Sequence, residues 1–340
     1  MRAVPACSCA RRHETCFDDE VVLSSRLRTV RPLVAGALTL AIFAVILRRV
    51  PFPAVAAALH GVDYRLFLAL MVGNALFYFL WDTLVLSVAI GWFHAPVPYR
   101  DLLPVRASSY VVGFLNTNLG RGAMAAYLSR RLKAPLLQLG GTVLFLVLTE
   151  YTQLVIWAML GLAGSRANVT ADLLAVAAAV AALWLAFFLY VRLHVTPTRL
   201  AKLAFAPREW QIFRTFRLAT AARYVRMVLL RAPMFVVSLY AHYYAAHAFG
   251  IEIPFAQLLA FLPVIFMLAA LPVTVAHLGT TQAAWIFFFS QYAPAPQLLA
   301  FSLAAHVVFS ATRAFVGVVL LPAAYFDLVP AGRPEVSRAV

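Results

Sequence analysis

The sequence predicts an all-α polytopic membrane protein, and three observations carry that prediction. Of its 340 residues, 64% are hydrophobic and 12% are charged, and mean hydropathy is +0.86. Soluble domains run near half apolar and a quarter charged. Apolar runs longer than the ~18 residues that mark a spanning helix recur along the chain. Two polar, glycine-bearing stretches interrupt those runs, Asn116-Thr117-Asn118-Leu119-Gly120-Arg121-Gly122 and the segment 272–282, Pro-Val-Thr-Val-Ala-His-Leu-Gly-Thr-Thr-Gln. In hydrocarbon, helices break only where protein or water takes over the freed backbone hydrogen bonds. Paired breaks in corresponding halves point to a central substrate site.

The first 30 residues form a tail with Cys7, Cys9, Cys16 and His13. Their spacing matches no familiar metal-ligand pattern, so neither a metal nor any other cofactor is expected. The membrane domain then covers 31–327, and 328–340 is a short second tail. Full spans are predicted at 33–50, 66–92, 136–162, 173–193, 225–249 and 298–326. The pieces 103–115 and 283–289, beside the two breaks, fall short of the ~20 residues a crossing needs. Each break therefore reads as a re-entrant helical hairpin, giving six full spans plus two hairpins. The alternative is eight or nine full spans.

Lysine and arginine in short loops set the orientation. The loop 192–226 and the cluster Arg130-Arg131-Lys133 are expected to face the cytoplasm, as are both termini. Loops 164–172 and 250–254 then lie outside. Arg48 and Arg49 run against this pattern. The two hairpins enter from opposite faces, the pattern of an inverted repeat. The net charge of +15 is assigned to cytoplasmic loops facing anionic lipid rather than to nucleic acid.

Three stretches occur in a telling order: Gly120-Arg121-Gly122 with Tyr127-Leu128-Ser129-Arg130-Arg131, then Leu148-Thr149-Glu150-Tyr151, then Leu271-Pro272-Val273-Thr274 with Gly279-Thr280-Thr281-Gln282. Together they resemble the flippase-like transmembrane domain of the lysylphosphatidylglycerol synthase family, over about residues 30–327. The resemblance implies a bacterial inner-membrane protein that moves a modified lipid across the bilayer. The soluble aminoacyl-transferase domain fused to some members is expected to be lacking. The chain departs from the family pattern at Ala123, Ala126, Tyr151 and Gln282, where charged residues are usual, and around Ala276 and His277.

Ionisable groups deep in a membrane are expensive and mark function. Asp82, with Asn74 two turns earlier on the same face, lies within the second span. Glu150 is central in the span 136–162, and His306 and Arg313 share a face of the last span. The breaks themselves carry Asn116, Asn118, Arg121, Thr274, His277 and Gln282. Arg121 and Arg313 are expected to meet a lipid phosphate, since the guanidinium fork suits bidentate contact. Backbone N–H groups near Gly122 and Gly279 add donors. Glu150 or Asp82 balances the charge or holds an amino-bearing headgroup; alternatively both acids pair permanently with Arg121 or Arg313 and lock the bundle. His306 reads as a packed structural histidine. His242 and His247 read as interfacial.

No phosphate loop, nucleophile elbow or zinc-protease motif is present, so catalysis is not expected. The sequence thus predicts a flippase-like protein that binds or translocates a phospholipid or related amphiphile, its partners being membrane lipids. The alternative is a non-transporting subunit that anchors a lipid-modifying enzyme or glycosyltransferase. With so few charges left in the breaks, a weakly charged headgroup is expected.

Overall fold

The computed structural model describes residues 50–115, 117–164, 210–269 and 278–326, with isolated positions at 44–48 and 178–190. The predicted span 33–50 falls mostly outside these residues and 173–193 is described only at scattered positions, while most of both tails also lie outside. Among the described residues the chain is helical without strands. We number its helices α1 (Phe52–Ala58), α2 (Tyr64–Phe93), α3 (Tyr99–Leu115), α4 (Thr117–Leu132), α5 (Leu136–Gly164), α6 (Arg214–Leu218), α7 (Ala221–Ala248), α8 (Phe255–Ala269), α9 (Thr280–Phe289) and α10 (Ala295–Phe326).

Four helices, α2, α5, α7 and α10, are long and apolar enough to cross a membrane. At 1.5 Å per residue, 28 to 32 residues reach about 42–48 Å, more than the ~30 Å hydrocarbon core. They coincide with the predicted spans 66–92, 136–162, 225–249 and 298–326. The helix ends are fixed locally. Asp63 caps α2 by accepting from the Leu66 N–H (3.1 Å), and Thr220 caps α7 from the Arg223 N–H (3.3 Å).

Both breaks are helical hairpins. In the first, α3 and α4 fold back on one another. Asp101 pairs with Arg131 at the open end (2.7 Å), and Arg106 reaches Met124 further in (3.4 Å). Near the tip, a Cβ on Gly120 would stand 2.5 Å from the Ser109 carbonyl and 2.8 Å from the Gly113 Cα, so only glycine permits the fold-back. The break is also tighter than the sequence suggests: residues 117–122 begin α4 instead of forming a loop. In the second hairpin, Phe261 of α8 stacks on Phe288 of α9 (4.7 Å). Gly279 starts α9 at φ +93°, a left-handed value that favours glycine. The Gln282 side chain closes this turn by accepting from the Gly279 N–H (2.7 Å).

The halves α2–α5 and α7–α10 pack reciprocally. The first long helices cross each other antiparallel: Asp63 N–H donates to the Ala248 carbonyl, Ser238 to Asn74, and the Trp81 indole to the Leu230 carbonyl. The hairpin helix of each half lies on the last long helix of the other. A Cβ on Gly317 of α10 would meet the Ala107 carbonyl of α3 at 2.6 Å, and one on Gly161 of α5 would collide with the backbone of Ala260 in α8. Equivalent long helices therefore run in opposite directions, as in an inverted-topology repeat.

Apolar clusters close both ends. Near the start of α2, Phe67, Phe249, Phe301 and Trp285 interlock edge to face, with ring centroids 4.9–5.4 Å apart for the pairs Phe67–Phe249, Phe249–Phe301 and Trp285–Phe301. Near its end, Phe93 and Phe216 contact Phe145 at 5.2 and 5.9 Å. The polar site lies between the two clusters.

Candidate functional site

A cavity of about 430 Å³ lies at mid-depth. It is walled by α2, α5, α7 and α10, and by the inner parts of both hairpins, with Gly113, Gly120 and Arg121 on one side and Ala269, Leu278 and Thr281 on the other. Four arginines, Arg106, Arg121, Arg231 and Arg313, and two carboxylates, Asp82 and Glu150, line it.

Asp82 is buried and pairs with Arg106, joining α2 to the first hairpin. The Tyr110 hydroxyl donates to the same carboxylate oxygen (3.3 Å). Glu150 stands between two cations, Arg121 at 3.4 Å and Arg231 at 3.7 Å, and accepts from the Tyr78 hydroxyl at 3.5 Å. Arg231 sits in the wall of α7 at 4% exposure. Gln153 donates to its backbone carbonyl (3.1 Å), while its own Nε is buried without a hydrogen-bond partner.

Arg313 is held differently. Its guanidinium lies 3.7 Å from the centre of the Tyr110 ring and 5.2 Å from those of Tyr78 and Phe309. Its Nε has no hydrogen-bond partner, and no described carboxylate forms an ion pair with it. Aromatic faces attract a cation electrostatically.

Neutral polar groups complete the wall. Asn74, Ser238, His242 and Ser302 are buried and line the cavity. Ser238 donates to Asn74 Oδ1 (2.9 Å), and His242 Nδ1 contacts the Ser238 carbonyl (2.7 Å). His242 is thus not interfacial, as its place near a helix end suggests. It turns inward, with its ring parallel to Trp285 (6.2 Å), whereas His247 is exposed. His306 is half-buried and also faces the cavity.

Of the residues singled out in the sequence, Asp82, Arg121, Glu150 and Arg313 come together around this cavity. Gln282 is buried and caps α9 instead of lining the cavity. Asn116, Thr274 and His277 lie outside the described residues, as does the Asn118 side chain. Glu150 pairs with Arg121 as one sequence reading expects, but Asp82 pairs with Arg106. Sequence reasoning missed Arg106 and Arg231. Each is an arginine inside a helix beside an apolar run, the signal that singled out Asp82 and Glu150. With them, the centre is more cationic than the breaks alone suggest.

At the basic end of the bundle, just beyond α2, His94 Nε2 meets Thr142 Oγ1 at 2.8 Å. Burial, and then the nearby Arg214 charge, hold its pKa below the usual histidine value.

A comparison with curated proteins returned no match. Residues 32–317 match the family model described as the lysylphosphatidylglycerol synthase TM region, a stretch that includes both hairpins and every residue lining the cavity. The chain therefore belongs to the family of lysylphosphatidylglycerol synthase TM regions, as an all-α, multi-pass membrane protein.

Proposed function

We propose that this protein is a flippase-like carrier that binds the phosphate of an anionic amphiphile in the mid-depth cavity and passes it between the two hairpins. The observation that supports this reading is the excess of arginines over carboxylates at that depth, four against two. Uncompensated cations in a membrane interior are costly, and a phosphate supplies the missing charge with oxygens suited to the guanidinium fork. Family membership agrees with a lipid-related role. The role is transport rather than catalysis.

The proposed location is a bacterial inner membrane with both termini in the cytoplasm. Basic residues support that orientation: Arg100, Arg130, Arg131, Lys133, Arg214, Arg217, Arg223 and Arg226 gather at the end where α2 finishes and α7 begins. The opposite end carries Asp63, Arg65 and Glu252, with Arg48 close by as the exception.

The test is reconstitution in vesicles with headgroup-labelled phospholipid, following its crossing between leaflets. Crossing should accelerate with the parent protein and fall at least about tenfold with Arg313→Gln or Arg231→Gln, since a lost charge-assisted contact is worth about 1.5–3 kcal/mol. Accelerated crossing that survives both changes overturns the site. A second reading, the non-transporting subunit of a lipid-modifying enzyme or glycosyltransferase, draws on the buried Asp82–Arg106 pair, which fastens α2 to the first hairpin. Absence of crossing with every phosphate lipid tried favours that reading.

A further inference from the structure

The cavity is zoned along its depth. Asp82 and Asn74 lie eight residues apart on α2, or about 12 Å along its axis. The antiparallel α7 repeats this order, with Arg231 toward the basic end and Ser238 and His242 beyond it. On α10, Arg313 lies toward the basic end and Ser302 toward the other. The charged groups thus occupy mid-depth and the basic side. Asn74, Ser238, His242 and Ser302 form a neutral polar zone toward the opposite end.

We infer that the amphiphile carried is a phosphodiester whose outer substituent is an uncharged polyol, with its hydroxyls in the Asn74–His242 zone. This deepens the proposed phosphate site and rests on it. Three observations support it. Both cavity carboxylates already face arginines, so a headgroup ammonium meets excess positive charge and no unclaimed anion. Asn74 is 2% exposed and its Nδ2 has no hydrogen-bond partner, an amide donor whose burial is offset only when an oxygen arrives. His242 Nδ1 contacts a carbonyl, which can only accept, so Nδ1 carries the proton and Nε2 of the neutral ring is an acceptor. A donor and an acceptor lining one cavity together complement a hydroxyl group, which is both. An ammonium offers no acceptor to Asn74, and a bare phosphate monoester places nothing in this zone.

Detergent-purified protein titrated with short-chain phosphatidylinositol, phosphatidic acid and phosphatidylethanolamine, read by tryptophan fluorescence, tests this. Phosphatidylinositol should bind about tenfold more tightly than phosphatidylethanolamine and at least about threefold more tightly than phosphatidic acid, the scale of one or two hydrogen bonds. Asn74→Leu and His242→Phe should each bring the phosphatidylinositol-to-phosphatidic acid ratio close to one. Phosphatidic acid binding as tightly as phosphatidylinositol overturns the polyol zone and leaves the phosphate site standing. So does a ratio unmoved by both variants. Phosphatidylethanolamine binding as tightly as phosphatidylinositol overturns it too. Failure of both anionic lipids to bind overturns the zone together with the arginine site. The parent-protein ratios decide the matter even if a variant does not fold.

Discussion

Gly161 of α5 and Gly317 of α10 hold equivalent places in the two halves, each bringing its helix onto the backbone of the hairpin helix from the other half. Without a hydrophobic driving force inside lipid, close backbone approach is a main source of helix association. Valine at either position forces the helices apart. Gly161→Val and Gly317→Val should each destabilise the fold by about 1–3 kcal/mol, seen as a lower thermal midpoint in detergent. Unchanged midpoints would remove the close approach.

The Asp82–Arg106 pair is buried on both sides, with side chains 6% and 14% exposed. Removing one member of such a pair strands the other charge, at a cost of about 3–5 kcal/mol. Asp82→Leu should therefore unfold far more readily than the parent, while the double change Asp82→Leu with Arg106→Met should recover most of the loss. Thermal melts of the three proteins decide the point. A double variant as unstable as the single one would show that the pair does not act as a unit.

His94 gives a pH dependence. Its pKa lies below the usual value in the folded protein, so the folded state binds protons less readily than the unfolded one. Its contribution to stability is complete above about pH 6.5 and is lost as pH falls from there toward its own lowered pKa. His94→Gln should flatten that part of the midpoint-versus-pH curve. An equally steep curve would assign the acid sensitivity to other groups.

Lys133 and Glu252 lie at opposite ends of the bundle. In a background with Cys7, Cys9 and Cys16 changed to serine, Glu252→Cys should react with an impermeant thiol reagent in intact cells. Lys133→Cys should react only after permeabilisation. The reverse pattern would invert the proposed orientation.

Much of this architecture is legible in the sequence because lipid imposes simple rules. The helices α2, α5, α7 and α10 follow from run length alone, and the hairpins from flanking pieces too short to cross. The extent of the first break is not legible. Polarity marks 116–122 as irregular, but the Gly113–Gly120 contact lets α4 begin at Thr117. The charged site is half legible. Asp82 and Glu150 stand out against apolar neighbours, whereas Arg106 and Arg231 matter only once folding aims them inward. His242 shows the same limit: position along a helix says how deep a residue lies, and only the packing of α7 against α2 and α9 says which way it points.

The three rings around Arg313 bear on how fast the site can work. A ligand taking that guanidinium competes with ring contacts worth about 0.5–2 kcal/mol, not with a buried carboxylate whose release leaves a stranded charge worth about 3–5 kcal/mol. Capture displaces these ring contacts without stranding a carboxylate, and departure restores them. In the proposed transport role, this aromatic cradle would favour rapid release over long residence.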